Sequence, residues 1–146
     1  MNPAVEGKEY PEVTFVVEPE RVAAFRRVVG GAGAGASAGT GAGAGAGGVP
    51  PTFATAAEFS VFPQLLADPE LDLDLTRVVH GSQEYTYARA LVEGETLRVH
   101  ARIESVRVRG ANGFLTVVME LVGADGELAC TTRSMMMERA AAAEPA

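Results

Sequence analysis

Two titratable side chains sit in surroundings that could set them to chemical work. Glu58 falls within "PPTFATAAEFSVFPQLL", residues 50–66, and a helical wheel puts it near Phe62 and Leu65. Apolar neighbours raise a carboxylate's pKa toward the working range of a general base. The plainer reading is a carboxylate reaching the helix edge or a subunit boundary. His80, in "VVHGSQ", could carry a proton, yet it has no acid beside it in sequence and suits a structural hydrogen bond at a strand end. Gly81 after it permits a bend or bulge in the strand.

The least ordinary stretch is "RVVGGAGAGASAGTGAGAGAGGVPPTFA", Arg27–Ala54. A Walker-type phosphate loop ends in Gly-Lys-Ser/Thr so that an ammonium reaches the phosphates, and the sole lysine here is Lys8. Gly43-x-Gly45-x-x-Gly48 has dinucleotide-loop spacing, but any Gly/Ala repeat contains it. Val49-Pro50-Pro51 follows where that fold requires a long helix. Residues 30–48 carry no large side chain and bury little apolar area against a high ordering cost, so they read as a flexible Gly/Ala-rich insertion. Residues 140–146 read as a disordered tail.

Charge and composition exclude several classes of function. A formal net charge of −7 and a pI near 4.8 oppose a nucleic-acid-binding surface, which needs a clustered basic field. No run of about 18 apolar residues exists for a membrane span. "MNPAVEGKEYPEVTF" lacks the basic and apolar regions of a secretion signal, so a soluble cytoplasmic protein is expected. Cys130 is the only cysteine and there are two histidines, so neither an internal disulfide nor a metal site is expected, and no cofactor.

Positioning Glu58 and His80 takes a first strand, two helices and a second set of strands. "EVTFVV", Glu12–Val17, predicts the strand, and "EPERVAAFRRVV" a short helix with Pro19 at its tolerated initial position. Pro50 and Pro51 stop whatever precedes them, and Thr52 is the predicted N-cap of the next helix. On its wheel Phe53, Ala57, Phe59, Val61, Phe62, Leu65 and Leu66 point in nearly every direction, predicting a helix buried all round that Pro63 kinks or ends. From Arg77 the period becomes two. "RVVHGSQEYTYARAL", "ETLRVHARIESVRVR", "GFLTVVMELV" and "GELACTTRSMMM" are predicted strands, punctuated by "VEGE", "GAN" and "GADG" as hairpin turns. The expected architecture is α+β: a curved antiparallel sheet of about five strands around one central helix, the last four strands forming a meander, in a single domain over residues 1–139.

Three stretches carry a family likeness: "GKEYPE" (Gly7–Glu12), "VPPTFA" (Val49–Ala54) and above all "DPELDLDLTRVVHGSQEYTYARALVEGETLRV" (Asp68–Val99). Together they resemble the MaoC-like dehydratase N-terminal family of bacterial single hot-dog proteins. That family includes the non-catalytic subunits of heterodimeric (R)-3-hydroxyacyl-thioester dehydratases, so the resemblance implies a hot-dog fold. In catalytic relatives a loop resembling Gly-Asp-x-Asn-Pro-x-His, between the first short helix and the central helix, supplies an aspartate and a histidine. Syn removal of water needs a group that exchanges the α-proton, one that handles the departing hydroxyl, and a donor for the enolate-like thioester oxygen. The corresponding stretch here, Val29–Val49, contains no Asp, Glu, His, Asn or Lys, so no catalytic residue carries over.

The resemblance therefore implies a subunit that shapes an acyl pocket in fatty-acid or polyketide-type metabolism. A second hot-dog subunit would bring the Asp and His, with acyl-ACP or acyl-CoA as substrate. Its candidate substrate-binding residues are Thr52 and Phe53, at a helix N-terminus whose dipole favours a thioester oxygen, and His80 with Gly81. Arg98, His100 and Arg102, with Arg107 and Arg109 beyond a phase slip at Glu104–Val106, could receive a phosphopantetheine arm or an acidic carrier protein. They could equally be the solvated outer face of a sheet. Met135–Met137 suits an interface, a fatty-chain tunnel or plain core filling. Two rivals stay open: an enzyme, as a thioesterase through Glu58 or a dehydratase through His80, and a degenerate homodimeric acyl-binding protein.

Overall fold

The computed structural model describes residues 1–29 and 48–140. The insertion expected at 30–48 and the tail expected at 140–146 lie outside the described residues, apart from Gly48 and Ala140.

Strand β1 (Glu9–Val16) leads into helix α1 (Pro19–Val29); α2 (Ala54–Leu66) follows, then β2 (Val78–Tyr87), β3 (Thr96–Arg109), β4 (Asn112–Gly123) and β5 (Leu128–Glu138). The strands form one antiparallel sheet in the order β1-β3-β4-β5-β2. The meander expected for the last four strands is thus corrected. Only β3, β4 and β5 follow one another, while β2 pairs with β5 at the far edge. "VEGE" belongs to a crossover between edges and not to a hairpin. Gly94 N donates to Val17 O at 2.8 Å and Val17 N to Glu95 O at 2.9 Å, which delivers the chain to β1's side of the sheet.

Local chemistry accounts for the joints. Gly110 opens the two-residue β3–β4 turn with φ 61°, the conformation type II′ geometry asks of its first central residue. The register of β3 against β4 slips between Ile103 and Ser105, and Glu104 in that bulge accepts from Arg133 Nε of β5 at 2.7 Å. Helix α2 sinks Ala54, Ala57, Val61 and Leu65 against buried Leu97, Val99, Val117, Met119 and Leu121 on the concave face.

Two expectations about α2 are corrected. It is not buried all round, since Phe59 is 63 % exposed and Leu66 38 %. Pro63, on its exposed side, does not end it: the helix runs on to Leu66. Thr52 caps nothing. The two prolines set up a 3₁₀ turn, Pro51–Phe53, in which Phe53 N donates to Pro50 O at 2.9 Å, and Thr52 is exposed within it.

The N-terminal motif is clamped to the turn after α2. Asp68 accepts from Tyr10 OH at 2.8 Å and pairs with Lys8 Nζ at 2.8 Å, and the Lys8 ammonium, with Tyr10's hydroxyl, holds the Asp68 carboxyl below the usual carboxylate range. A depressed carboxylate contributes stability above its unfolded pKa and loses it as pH falls through the folded value. Asp68→Asn should therefore lower the melting temperature at about pH 7, with the deficit shrinking toward about pH 3. Thermal melts at the two pH values check it; a deficit that does not shrink overturns the clamp.

Candidate functional site

Helix α2 has a second apolar stripe. Thr55, Phe59, Phe62 and Leu66 follow helical spacing and face away from the stripe that fills the core. Opposite them runs edge strand β2, whose alternate residues Gln83, Tyr85 and Tyr87 reach back to α2 and its approach. Tyr87 OH donates to Pro51 O, Tyr85 OH bonds Thr55 Oγ1, and Gln83 Nε2 donates to Glu58 Oε1 at 2.9 Å. Toward the start of β2 these tethers end, and helix and strand part. The gap is a cleft of about 290 Å³ lined by Phe59, Phe62, Leu66, Val78, His80 and Met136, with the polar Thr55, Glu58, Gln83 and Ser134.

Glu58 is the unusual member. It is 1 % exposed, and its Oε2 has no hydrogen-bond partner among the described residues; the same holds for Thr132 Oγ1. Burial pushes the Glu58 carboxyl above its usual range, opposed by the nearby Thr132 hydroxyl (short of hydrogen-bond geometry), by the Gln83 amide and by the charge of His80. Ser134 Oγ donates to Gln83 Oε1, which turns the Gln83 Nε2 donor toward Glu58. Deeper in the fold, burial drives the Cys130 thiol up to about 11, so it is no nucleophile.

The four candidate binding residues divide. His80 lines the cleft and is exposed, its Nε2 lying 3.0 Å from Ser82 O. Gly81 forms a bulge against Met135 and Met136, where a side chain would strike the Met135 thioether. Phe53 is 1 % exposed and packs edge-on against Phe25 at 5.4 Å, within the core. Thr52 lies in the exposed turn before α2. The fold brings Glu58 and His80, distant in sequence, to one cleft.

The basic stripe is interleaved with acids. His100 Nε2 lies 3.1 Å and Arg98 Nη1 3.8 Å from Glu12 Oε2, while Glu120 stands across from His100 and Glu9 across from Arg102. Within Met135–Met137, Met136 is buried at the cleft, and Met135 and Met137 are half-buried on the alternate face. Gln83, Thr132 and Ser134 were not singled out from sequence. Period-two alternation does place Gln83 with Tyr85 and Tyr87, and Thr132 with Ser134 and Met136, but not which pair of strands adjoins. Among the described residues no group of three His, Cys, Asp or Glu could hold a metal ion, and no helix is long and apolar enough to cross a membrane.

The family model described as "FAS1-like, dehydratase domain region" matches residues 4–132. The chain belongs to that family. This FAS1-like dehydratase domain is 35 % identical over 143 residues to a UPF0336 protein of Leifsonia xyli, covering 95 % of this chain and 96 % of the relative. It is 38 % identical over 96 residues to one of Saccharopolyspora erythraea, covering 66 % of this chain and 62 % of the relative.

Among solved structures it resembles the HadBC (3R-hydroxyacyl-ACP dehydratase) complex of Mycobacterium tuberculosis, with TM-score 0.71 and 21 % identity over 94 % of this chain and 99 % of that one. A MaoC-like dehydratase gives TM-score 0.76 and 18 % identity, over 94 % of this chain but 43 % of that one. The ChsH1–ChsH2 complex of M. tuberculosis gives 0.63 and 16 %, over 94 % and 88 %. Those likenesses show the fold: a MaoC-like hot-dog domain, five antiparallel strands curved around one long helix.

The state of Glu58 is measurable. A carboxyl whose folded pKa is raised gives its full favourable contribution below the unfolded pKa and loses it as pH rises through the folded one. Glu58→Gln is permanently neutral, and its amide can donate to the orphaned Thr132 Oγ1. It should match the natural chain near pH 4 and exceed its stability by about 1–3 kcal/mol near pH 8. Denaturant titration at both values decides, and an equal difference at each overturns the account of the carboxylate.

Proposed function

We propose that this chain is the non-catalytic, acyl-pocket-forming subunit of a heteromeric (R)-3-hydroxyacyl-thioester dehydratase. It works in the cytoplasm on chains carried by ACP or CoA, in fatty-acid or polyketide-type synthesis. The observation that carries the reading is the absence of any Asp, Glu, His, Asn or Lys from Val29–Val49, in a chain of a dehydratase family whose fold is intact. Protonation and deprotonation at C2 and C3 of the substrate then fall to a second hot-dog subunit carrying the aspartate and histidine.

The cleft supports the rest. Its apolar wall suits an aliphatic chain, and it leaves Phe59 63 % exposed beside a strand, β2, whose outer edge pairs with nothing among the described residues. A partner strand and helix would cover both. The solved HadBC and ChsH1–ChsH2 relatives are themselves complexes of two chains.

One observation favours a second reading: Glu58 and His80 share the cleft, so a thioesterase or dehydratase using them is chemically conceivable. Hydration of a crotonyl thioester separates the two. The purified chain alone should show no activity, and co-expression with a hot-dog chain containing an intact Asp/His motif should restore it. Glu58→Gln and His80→Ala in the assembled protein should then leave kcat within about tenfold, short of the loss that follows removal of a general acid or base. Activity of the lone chain that either substitution abolishes would overturn the scaffold reading in favour of the enzyme.

A further inference from the structure

The bulge at Glu104 re-aims the last arginines of β3. Arg98, His100 and Arg102 alternate with buried Val99, Ala101 and Ile103 and so stand on the convex face. Unbroken alternation would turn Arg107 and Arg109 toward the core. The register slip between Ile103 and Ser105 makes Val106 the next buried residue and returns both arginines, exposed, to the convex side. Their surroundings then change. Arg98 and His100 meet Glu12, and Arg102 faces Glu9. Arg107 and Arg109 stand across from Phe114 and Asn112. Neither makes an ion pair among the described residues, and nor does exposed Arg139 just past β5, whereas nearby Arg77 is held by Asp74 and Glu138.

Beside these three cations runs an apolar row. Phe114 pairs with Met137 and Met137 with Val79, one residue from each of three adjacent strands. Strands about 4.8 Å apart set the three side chains at nearly the pitch of an α-helix, about 5.4 Å per turn. A helix lying across the strands therefore sets one apolar residue per turn on each of them. Arg107 ends the row, while Arg109 and Arg139 stand two residues further along β3 and β5, about 6–7 Å to one side, level with that helix's flank. Val79 and Arg139 border one hollow, so the apolar row and the cations adjoin. An extended polyanion would also meet Glu84, Glu104 and Glu120 on this face of a chain with formal net charge −7; a helix about 10–12 Å wide covers the arginine end alone.

We infer that this end of the convex face docks a helix of another protein, apolar where it meets Phe114, Met137 and Val79 and acidic along the flank beside Arg107, Arg109 and Arg139. The docking surface is independent of the proposed function, whose cleft lies on the concave side of the sheet.

The test is titration of the full chain into a fluorescently labelled, side-chain-stapled helix of about 15 residues, with leucine along one stripe and glutamate along one flank, and into its glutamine-flanked match. The glutamate helix should bind at least about tenfold tighter at low salt, and the margin should shrink as salt rises from about 0.05 to about 0.5 M. Arg107→Glu with Arg109→Glu should abolish the margin and favour a lysine-flanked helix instead. Arg21→Glu with Arg27→Glu, the same change of net charge placed on α1, should keep it. Phe114→Ala should weaken the glutamate and glutamine helices alike.

Equal binding of the two helices, binding of neither, or a margin that survives the loss of Arg107 and Arg109 overturns the proposal. Phosphatidylglycerol vesicles that bind as tightly as the glutamate helix and through the same arginines overturn it in favour of a membrane surface. Arg107→Gln with Arg109→Gln, which removes the charges without reversing them, decides the matter if the glutamate variant fails to fold.

Discussion

A single helix has to fill the concave side of five strands, and it is too narrow to do so. Strands about 4.8 Å apart make a sheet about 19 Å across, while a helix with its side chains spans about 10–12 Å. Curvature closes part of the difference. The remainder falls at β2, the edge where the fold substitutes side-chain length for helix width. Tyr87, Tyr85 and Gln83 reach α2 or its approach. Val78 and His80, further back along β2, do not bridge the gap, and there the cleft opens. The candidate site is thus a geometric remainder of the architecture.

The chemistry of that remainder is set by one expensive choice. A carboxylate in an apolar cleft costs the fold more than an aliphatic side chain of similar volume would. Glu58 is only half compensated, because Gln83 and Ser134 organise one oxygen and leave the other open. Such a half-satisfied group weakens the protein.

Much of this was legible from the residues. Period-two alternation gave the strands, glycine marked the β3–β4 turn and the bulge beside His80, and the phase slip near Glu104 appears as a register shift. Strand order was not legible, because alternation records which face a residue takes and not which strand lies beside it. β2 therefore read as the next turn of a meander. The same limit explains α2. Its wheel shows apolar residues on every side, but Phe59 and Leu66 face a gap and not a core. Thr52 looked like a cap because its type suits one; the prolines ahead of it impose a tighter turn. Glu58 and His80 were visible singly, whereas their sharing of one cleft depends on the crossover.

The pairing of β2 with β5 also governs the order in which the molecule can be completed. β2 ends at Tyr87 and β5, its only neighbour among the described residues, begins at Leu128, so on a ribosome the edge strand emerges well before the surface that will receive it. Until β5 clears the exit tunnel, Gln83 has no Ser134 to orient it toward Glu58. The nascent chain passes through a sticky interval at the β2 edge that closes only once β5 has emerged.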